Sequence, residues 1–134
     1  MRSSLSKSLF ITPVLLLSAV FFANAADAAD SGAALFTAQC GACHTLSAKD
    51  PVRQGPNLGD VYGRKVGSVA GFAYSPDYTK ANFVWDDQHL NAYLTQPTSV
   101  LADSYMEYQQ PDAAIRAQII AYLKQQAPLY QGGK

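Results

Sequence analysis

Two thiols and an imidazole crowd into five consecutive residues, Cys40-Gly41-Ala42-Cys43-His44, and these are the only cysteines in the 134-residue chain. Two residues between the cysteines, near the end of a helical turn, let both sulfurs reach the two vinyl groups on one porphyrin edge. The adjacent His44 is then brought under the iron, and C-x-x-C-H is the attachment signature of c-type haem. Two other chemistries use a close cysteine pair, a redox-active dithiol and half of a zinc site. Zinc would normally need four protein ligands; after Cys40, Cys43 and His44 the chain offers only His89 and carboxylates. A thioredoxin-like dithiol belongs near a βαβ pattern, which the sequence lacks. A structural disulfide across so short a loop would constrain almost nothing.

The N-terminus reads as an export signal. Arg2 and Lys7 form a basic n-region, Leu9 to Ala23 an apolar h-region, and Ala23-Asn24-Ala25 or Ala26-Asp27-Ala28 a small-residue cleavage site. The alternative, a retained membrane anchor, wants about 20 apolar residues, whereas this stretch has 15 and includes Thr12 and Pro13. The expected division is a signal peptide over 1–25, or through 28 if the second site is used, and one mature domain over 26–134. Cleavage after Ala25 leaves 109 residues and takes the basic count from 10 to 8 against 10 acids, a net charge of −2; cleavage after Ala28 gives −1. Neither value suggests nucleic-acid binding, which shows as a basic patch or high pI. A domain this small builds little hydrophobic core unaided, and a covalent haem would supply much of it.

Periodicity predicts helices. Ser31 can cap one that begins Gly32-Ala33-Ala34-Leu35-Phe36 and runs into the cysteine motif. Ser47 to Gly71 is rich in Gly, Pro, Asn and Asp and predicts loop, with a short helical turn after Pro76. Asp86 is the expected N-cap of a second main helix whose Leu90, Tyr93 and Leu94 share one face, and Pro97 ends it. The last helix opens near Pro111 and Asp112 and carries the stripe Ile115, Ile119, Tyr122 and Leu123, widened by Ile120. Nothing alternates with period two, so the expected fold class is all-α with substantial loops.

Past the export signal only one methionine, Met106, and one further histidine, His89, remain as candidates for a sixth iron ligand. Met106 lies in a polar, non-periodic stretch, Ala102 to Gln110, with no core stripe to fill. A thioether there suits a sixth ligand that raises the iron's potential. His89 has polar neighbours, Asp86, Asp87 and Gln88, and reads as a surface histidine.

With these residues together, the chain resembles the class I c-type cytochromes, specifically the mitochondrial and bacterial photosynthetic-type branch. Gly32 and Phe36 match first-helix positions that pack on the last helix, where Tyr122 is the matching aromatic. Gly55-Pro56-Asn57-Leu58 matches the family's GPNL segment, and Pro56 would offer its carbonyl to the second ring nitrogen of His44. Tyr62-Gly63-Arg64-Lys65 and Gly71-Phe72-Ala73-Tyr74 resemble loops enclosing the propionate edge, which implies that Arg64, Tyr74 and Trp85 interact with a buried propionate. Tyr93 matches the tyrosine that can hydrogen-bond the methionine sulfur. Cys40 to Met106 aligns without a gap. Two departures stand out. Many relatives place Pro-Gly-Thr-Lys before the methionine, and this chain has Ala102-Asp103-Ser104-Tyr105. The lysines that ring the haem edge in mitochondrial members are largely missing, which disfavours a strongly acidic partner docked by lysine steering.

The resemblance implies a single-domain cytochrome c fold, about three main helices plus short helices and long loops wrapped around one covalent haem c. Cys40 and Cys43 would form the thioethers, His44 and Met106 would be the axial ligands, and Pro56, Arg64, Tyr74, Trp85 and Tyr93 would line the pocket. The implied function is one-electron transfer in a respiratory chain rather than catalysis, by a soluble periplasmic monomer. Its partners would be redox proteins such as a membrane-bound oxidoreductase, an oxidase or a periplasmic dehydrogenase. The altered loop before Met106 keeps a second reading open, a haem protein with a labile sixth ligand for small-ligand binding or weak peroxidase chemistry. A third reading is an electron-transfer subunit dedicated to one enzyme.

Overall fold

A computed structural model describes residues 25–47 and 49–127, without the side chains of 25–30. The expected signal peptide therefore falls almost wholly outside the described residues. Among the described residues five helices succeed one another: α1 (Ala25–Gln39), α2 (Pro76–Lys80), α3 (Asp87–Thr95), α4 (Pro97–Val100) and α5 (Ala113–Gln126). The all-α expectation holds, since the β pairing among the described residues amounts to one isolated antiparallel bridge, Lys65 to Val84. No helix among them is long and apolar enough to cross a membrane.

Ser31 does not cap α1. The helix already runs through Ala25 to Asp30, because alanines there carry the lowest cost of any residue for helical backbone, and Ser31 falls inside it. The expected Asp86 cap is present, and the last helix opens at Asp112 as expected, with that residue as its cap. The Asp86 side chain accepts the His89 amide, and the Asp112 side chain accepts those of Ala114 and Ile115. Pro97 follows the end of α3 and also opens a further short helix, α4, which periodicity had not revealed.

The core forms where α5 lies across α1. Ile119 is fully buried, and Phe36, Ile120 and Leu123 are nearly so. A Cβ on Gly32 would come 2.6 Å from Tyr122 Cβ and 2.8 Å from the Gln118 carbonyl oxygen, so only glycine lets the two backbones approach this far. One turn on, the Phe36 and Tyr122 rings meet at 5.9 Å. Leu90, Tyr93 and Leu94 of α3 extend the core toward Trp85. Arg116 of α5 is buried with its charge engaged: its guanidinium donates to Asn91 Oδ1 at 2.8 Å and to the Gln110 and Pro111 carbonyls at 2.8 and 2.9 Å.

Asp112→Ala is the mildest test of this frame. Losing the one oxygen that accepts two amides at the start of α5 should cost about 1 kcal/mol, which for a domain of this size lowers the thermal midpoint by roughly 4–8 °C. Thermal unfolding followed by circular dichroism checks it, and an unchanged midpoint would show the cap to be idle.

Candidate haem and iron-ligand site

The end of α1 builds the first half of the site. The amides of Cys40 and Gly41 both donate to the Phe36 carbonyl, and those of Cys43 and His44 donate to the Cys40 carbonyl at 3.1 and 2.9 Å. The chain thus keeps winding for another turn, and residues three and four apart share a face of such a turn. Both thiols and the His44 ring are thereby carried together. The two cysteines are not joined in a disulfide. Cys40 is buried, and burial, reinforced by Cys43, pushes its thiol up to about 11. It therefore stays protonated at neutral pH, the reverse of an activated redox dithiol. No cluster of three or more His, Cys, Asp or Glu side chains able to hold a metal exists among the described residues, which argues against the zinc reading.

The second half is the segment 55–59, laced to 43–47. The Gly55 amide donates to the Cys43 carbonyl and the Leu58 amide to the Thr45 carbonyl, both at 2.8 Å. Buried Asn57 donates to Thr45 Oγ1 at 3.1 Å and to the Ser47 carbonyl at 2.6 Å, and accepts from Gly59. This lacing places the Pro56 carbonyl 2.8 Å from His44 Nδ1. A carbonyl can only accept, so Nδ1 carries the proton and Nε2 keeps its lone pair for a metal. Burial lowers the basicity of His44, which favours the neutral, ligating form. Two thiols and an imidazole with its outer nitrogen available fit haem c.

Arg64 is half-buried, with 12% side-chain exposure, and paired with Asp60; it also donates to the Asn57 carbonyl at 3.0 Å. Backbone bonds tie it to Trp85, whose amide donates to the Arg64 carbonyl at 2.9 Å. Trp85 and Tyr93 are buried with ring centroids 4.9 Å apart. Tyr74 joins them through Tyr78, at 5.2 Å from Tyr74 and 6.4 Å from Tyr93. The structure therefore brings Tyr74, Trp85 and Tyr93 into one aromatic wall. Met106 is half-buried and packs against the same core as Cys40, Trp85 and Tyr93.

One detail departs from the resemblance. The Tyr93 hydroxyl is bonded to Tyr78 and, at 2.7 Å, to Ser104 Oγ, rather than to the Met106 sulfur. Burial also raises the Tyr93 hydroxyl far above the ordinary tyrosine range, so it remains a protonated hydrogen-bonding group. The partners it takes instead are hydroxyls: Tyr78 brings a second phenol to the spot, and Ser104 Oγ, 3.0 Å from the Tyr78 oxygen, closes a three-hydroxyl cluster. Sequence reading passed over Tyr78, since a single tyrosine in a short turn has no periodic partner. It also passed over Gln39, Tyr108 and Gln110. Tyr108 donates to Gln39 Oε1, and Gln110 Nε2 donates to the same oxygen at 3.0 Å, fastening the chain beyond Met106 to the residue before Cys40. His89 is half-exposed, paired with Asp86 at 2.8 Å and stacked on Phe83 at 4.2 Å, as a surface histidine would be.

The Cytochrome c family model matches residues 29–127. A cytochrome c from Theileria annulata is 41% identical over 98 residues, covering 70% of this chain and 82% of that protein. A cytochrome c2 from Pararhodospirillum photometricum is 38% identical over 110 residues, covering 74% and 96%, and a cytochrome c2 iso-2 from Magnetospirillum fulvum is 41% identical over 87, covering 63% and 88%. The chain belongs to the cytochrome c family, as a class I c-type cytochrome that carries one covalently attached haem c and transfers electrons.

Proposed function

We propose that this cytochrome is an exported one-electron carrier, with Cys40 and Cys43 as the thioether residues and His44 and Met106 as the axial ligands. The observation that carries the assignment is the His44 ring, held through Nδ1 by the Pro56 carbonyl at 2.8 Å with its Nε2 left to ligate. Haem c, when bound, supplies the Fe(III)/Fe(II) couple. The protein's part is to hold both ligands still, so that little rearranges on electron exchange, and to surround the site with apolar groups that set the potential. His44 is locked in one tautomer by Pro56. Trp85 and Tyr93 exclude water, and Arg64 keeps a positive charge at 12% exposure on the side facing the loop 55–60, where it suits a propionate. Met106 would supply the thioether.

The apolar run Leu9 to Ala23, flanked by Arg2, Lys7 and small-residue cleavage sites, supports export to the periplasm. The missing lysine ring, with Tyr105 exposed beside Met106, favours docking on redox partners by weakly charged contact rather than by strong steering. Protein-film voltammetry of the purified holoprotein tests the reading: a single reversible one-electron wave is expected, and its absence would sink the carrier assignment.

A further inference from the structure

We infer that α2 is a positioning element for Met106, to which Asp103 and Ser104 fasten the ligand-bearing loop, doing the stiffening that proline does in relatives. The inference rests on Met106 being the sixth ligand. Asp103 spends its two oxygens separately: Oδ1 accepts from Ser75 Oγ at 2.7 Å, and Oδ2 accepts the Asp77 amide at 3.0 Å. Ser75 is 4% exposed, so water competes poorly for that bond. One residue on, Ser104 Oγ meets the hydroxyls of Tyr78 at 3.0 Å and Tyr93 at 2.7 Å, and accepts the Met106 amide at 3.2 Å. Two successive loop residues are thus held by four groups outside the loop, three of them on α2 or at its N-cap.

The anchor is itself fixed. Tyr78 lies between Tyr74 and Tyr93, with the Tyr78 and Tyr93 hydroxyls bonded to each other. α2 therefore cannot follow the loop outward without unstacking two ring contacts. Hydrogen bonds to a carboxylate are roughly twice as strong as neutral ones, which makes Asp103 the dominant contact and Tyr78 the lesser one. Moving Met106 away from the iron requires this loop to swing, and the swing breaks the Asp103 and Ser104 contacts first. A loop whose sequence looks pliant is in this way made to hold its ligand.

The test is competition by imidazole for the sixth position in oxidised holoprotein, followed by loss of the methionine–iron charge-transfer band. Asp103→Asn should bind imidazole about tenfold more tightly than the parent, equivalent to about 1.4 kcal/mol and within the worth of a hydrogen bond to a charged group. Tyr78→Phe should shift it about threefold, as for a neutral hydrogen bond. Asp112→Ala, which weakens α5 and touches none of these groups, should leave the affinity unchanged while lowering the thermal midpoint, separating positioning from general destabilisation. Parent-like imidazole affinity in both Asp103→Asn and Tyr78→Phe overturns the inference. If Asp103→Asn yields no holoprotein, Ser75→Ala, which removes one of its two partners, decides the question with Tyr78→Phe. A parent protein without the charge-transfer band defeats the Met106 assignment itself, and the inference with it.

Discussion

Gly55→Ala is expected to cripple this protein although it adds a single methyl group. A Cβ at position 55 would stand 2.2 Å from His44 Cε1, 2.6 Å from Nδ1 and 2.8 Å from Nε2, inside the van der Waals surface of the ring. A flexible side chain would turn aside at little cost. This ring cannot, because its Nδ1 is bonded to the Pro56 carbonyl at 2.8 Å and its backbone amide to the Cys40 carbonyl at 2.9 Å. Nor can Gly55 retreat, since its own amide is bonded to Cys43 at 2.8 Å. Overpacking of this kind costs about 1–3 kcal/mol or more, and tilting the ligand away from its Pro56 partner weakens metal binding by roughly 10- to 100-fold. The yield of low-spin holoprotein should collapse, and what remains should melt more than about 10 °C below the parent. Visible spectroscopy and thermal unfolding measure both; a parent-like spectrum and midpoint would mean that the ring and the 55–59 segment are less tightly interlocked than these distances require.

How much of this was legible beforehand follows from the kind of interaction involved. Asp86 was readable as a cap, and the start of α5 near Asp112 as a helix start, because these signals are local, a side chain reaching amides two or three residues ahead. The faces of α3 and α5 were readable because Leu90, Tyr93 and Leu94, or Ile119 and Leu123, repeat with helical period. The attachment motif was readable because its chemistry dictates both residue type and spacing. Ser31 misled because a good capping residue says nothing about whether the helix has already begun, and the alanines before it had begun it. The distal clasp was invisible for a different reason. Asp103 reaches back 28 residues to Ser75, and Gln110 reaches 71 to Gln39. A polar pair at such separation leaves no period, and each member taken alone is an ordinary loop residue. Loop sequence therefore misstated loop rigidity: Ala102 to Tyr105 lacks the residues that stiffen a backbone, and tertiary hydrogen bonds restrain it instead.

Met106→Ala should separate the two sides of the haem cleanly. Cys40, Cys43 and His44 are built by α1 and the 55–59 segment, and none of their recorded hydrogen bonds involves the chain from Ala102 to Met106. Attachment should accordingly survive the substitution, and the haem should remain covalently bound through denaturation. The potential should fall by on the order of 0.1–0.2 V, a fraction of the about 0.8 V span that axial ligands and surroundings impose on haem, because loss of the thioether removes the ligand that favours the reduced iron. The charge-transfer band should vanish, and carbon monoxide should bind the reduced form readily. A truncated side chain also leaves a gap at the edge of the core, so stability should drop by about 2–5 kcal/mol at most, toward the lower end because Met106 is only half-buried. A potential and spectrum matching the parent would reject Met106 as a ligand. The contrast with Asp103→Asn is then informative in itself: the ligand variant should lose the band outright, and the clasp variant should keep it and yield it more easily to a competitor. The strength of the sixth bond would in that case be set by the few residues, Ser75, Tyr78, Asp103 and Ser104, that hold its loop against α2.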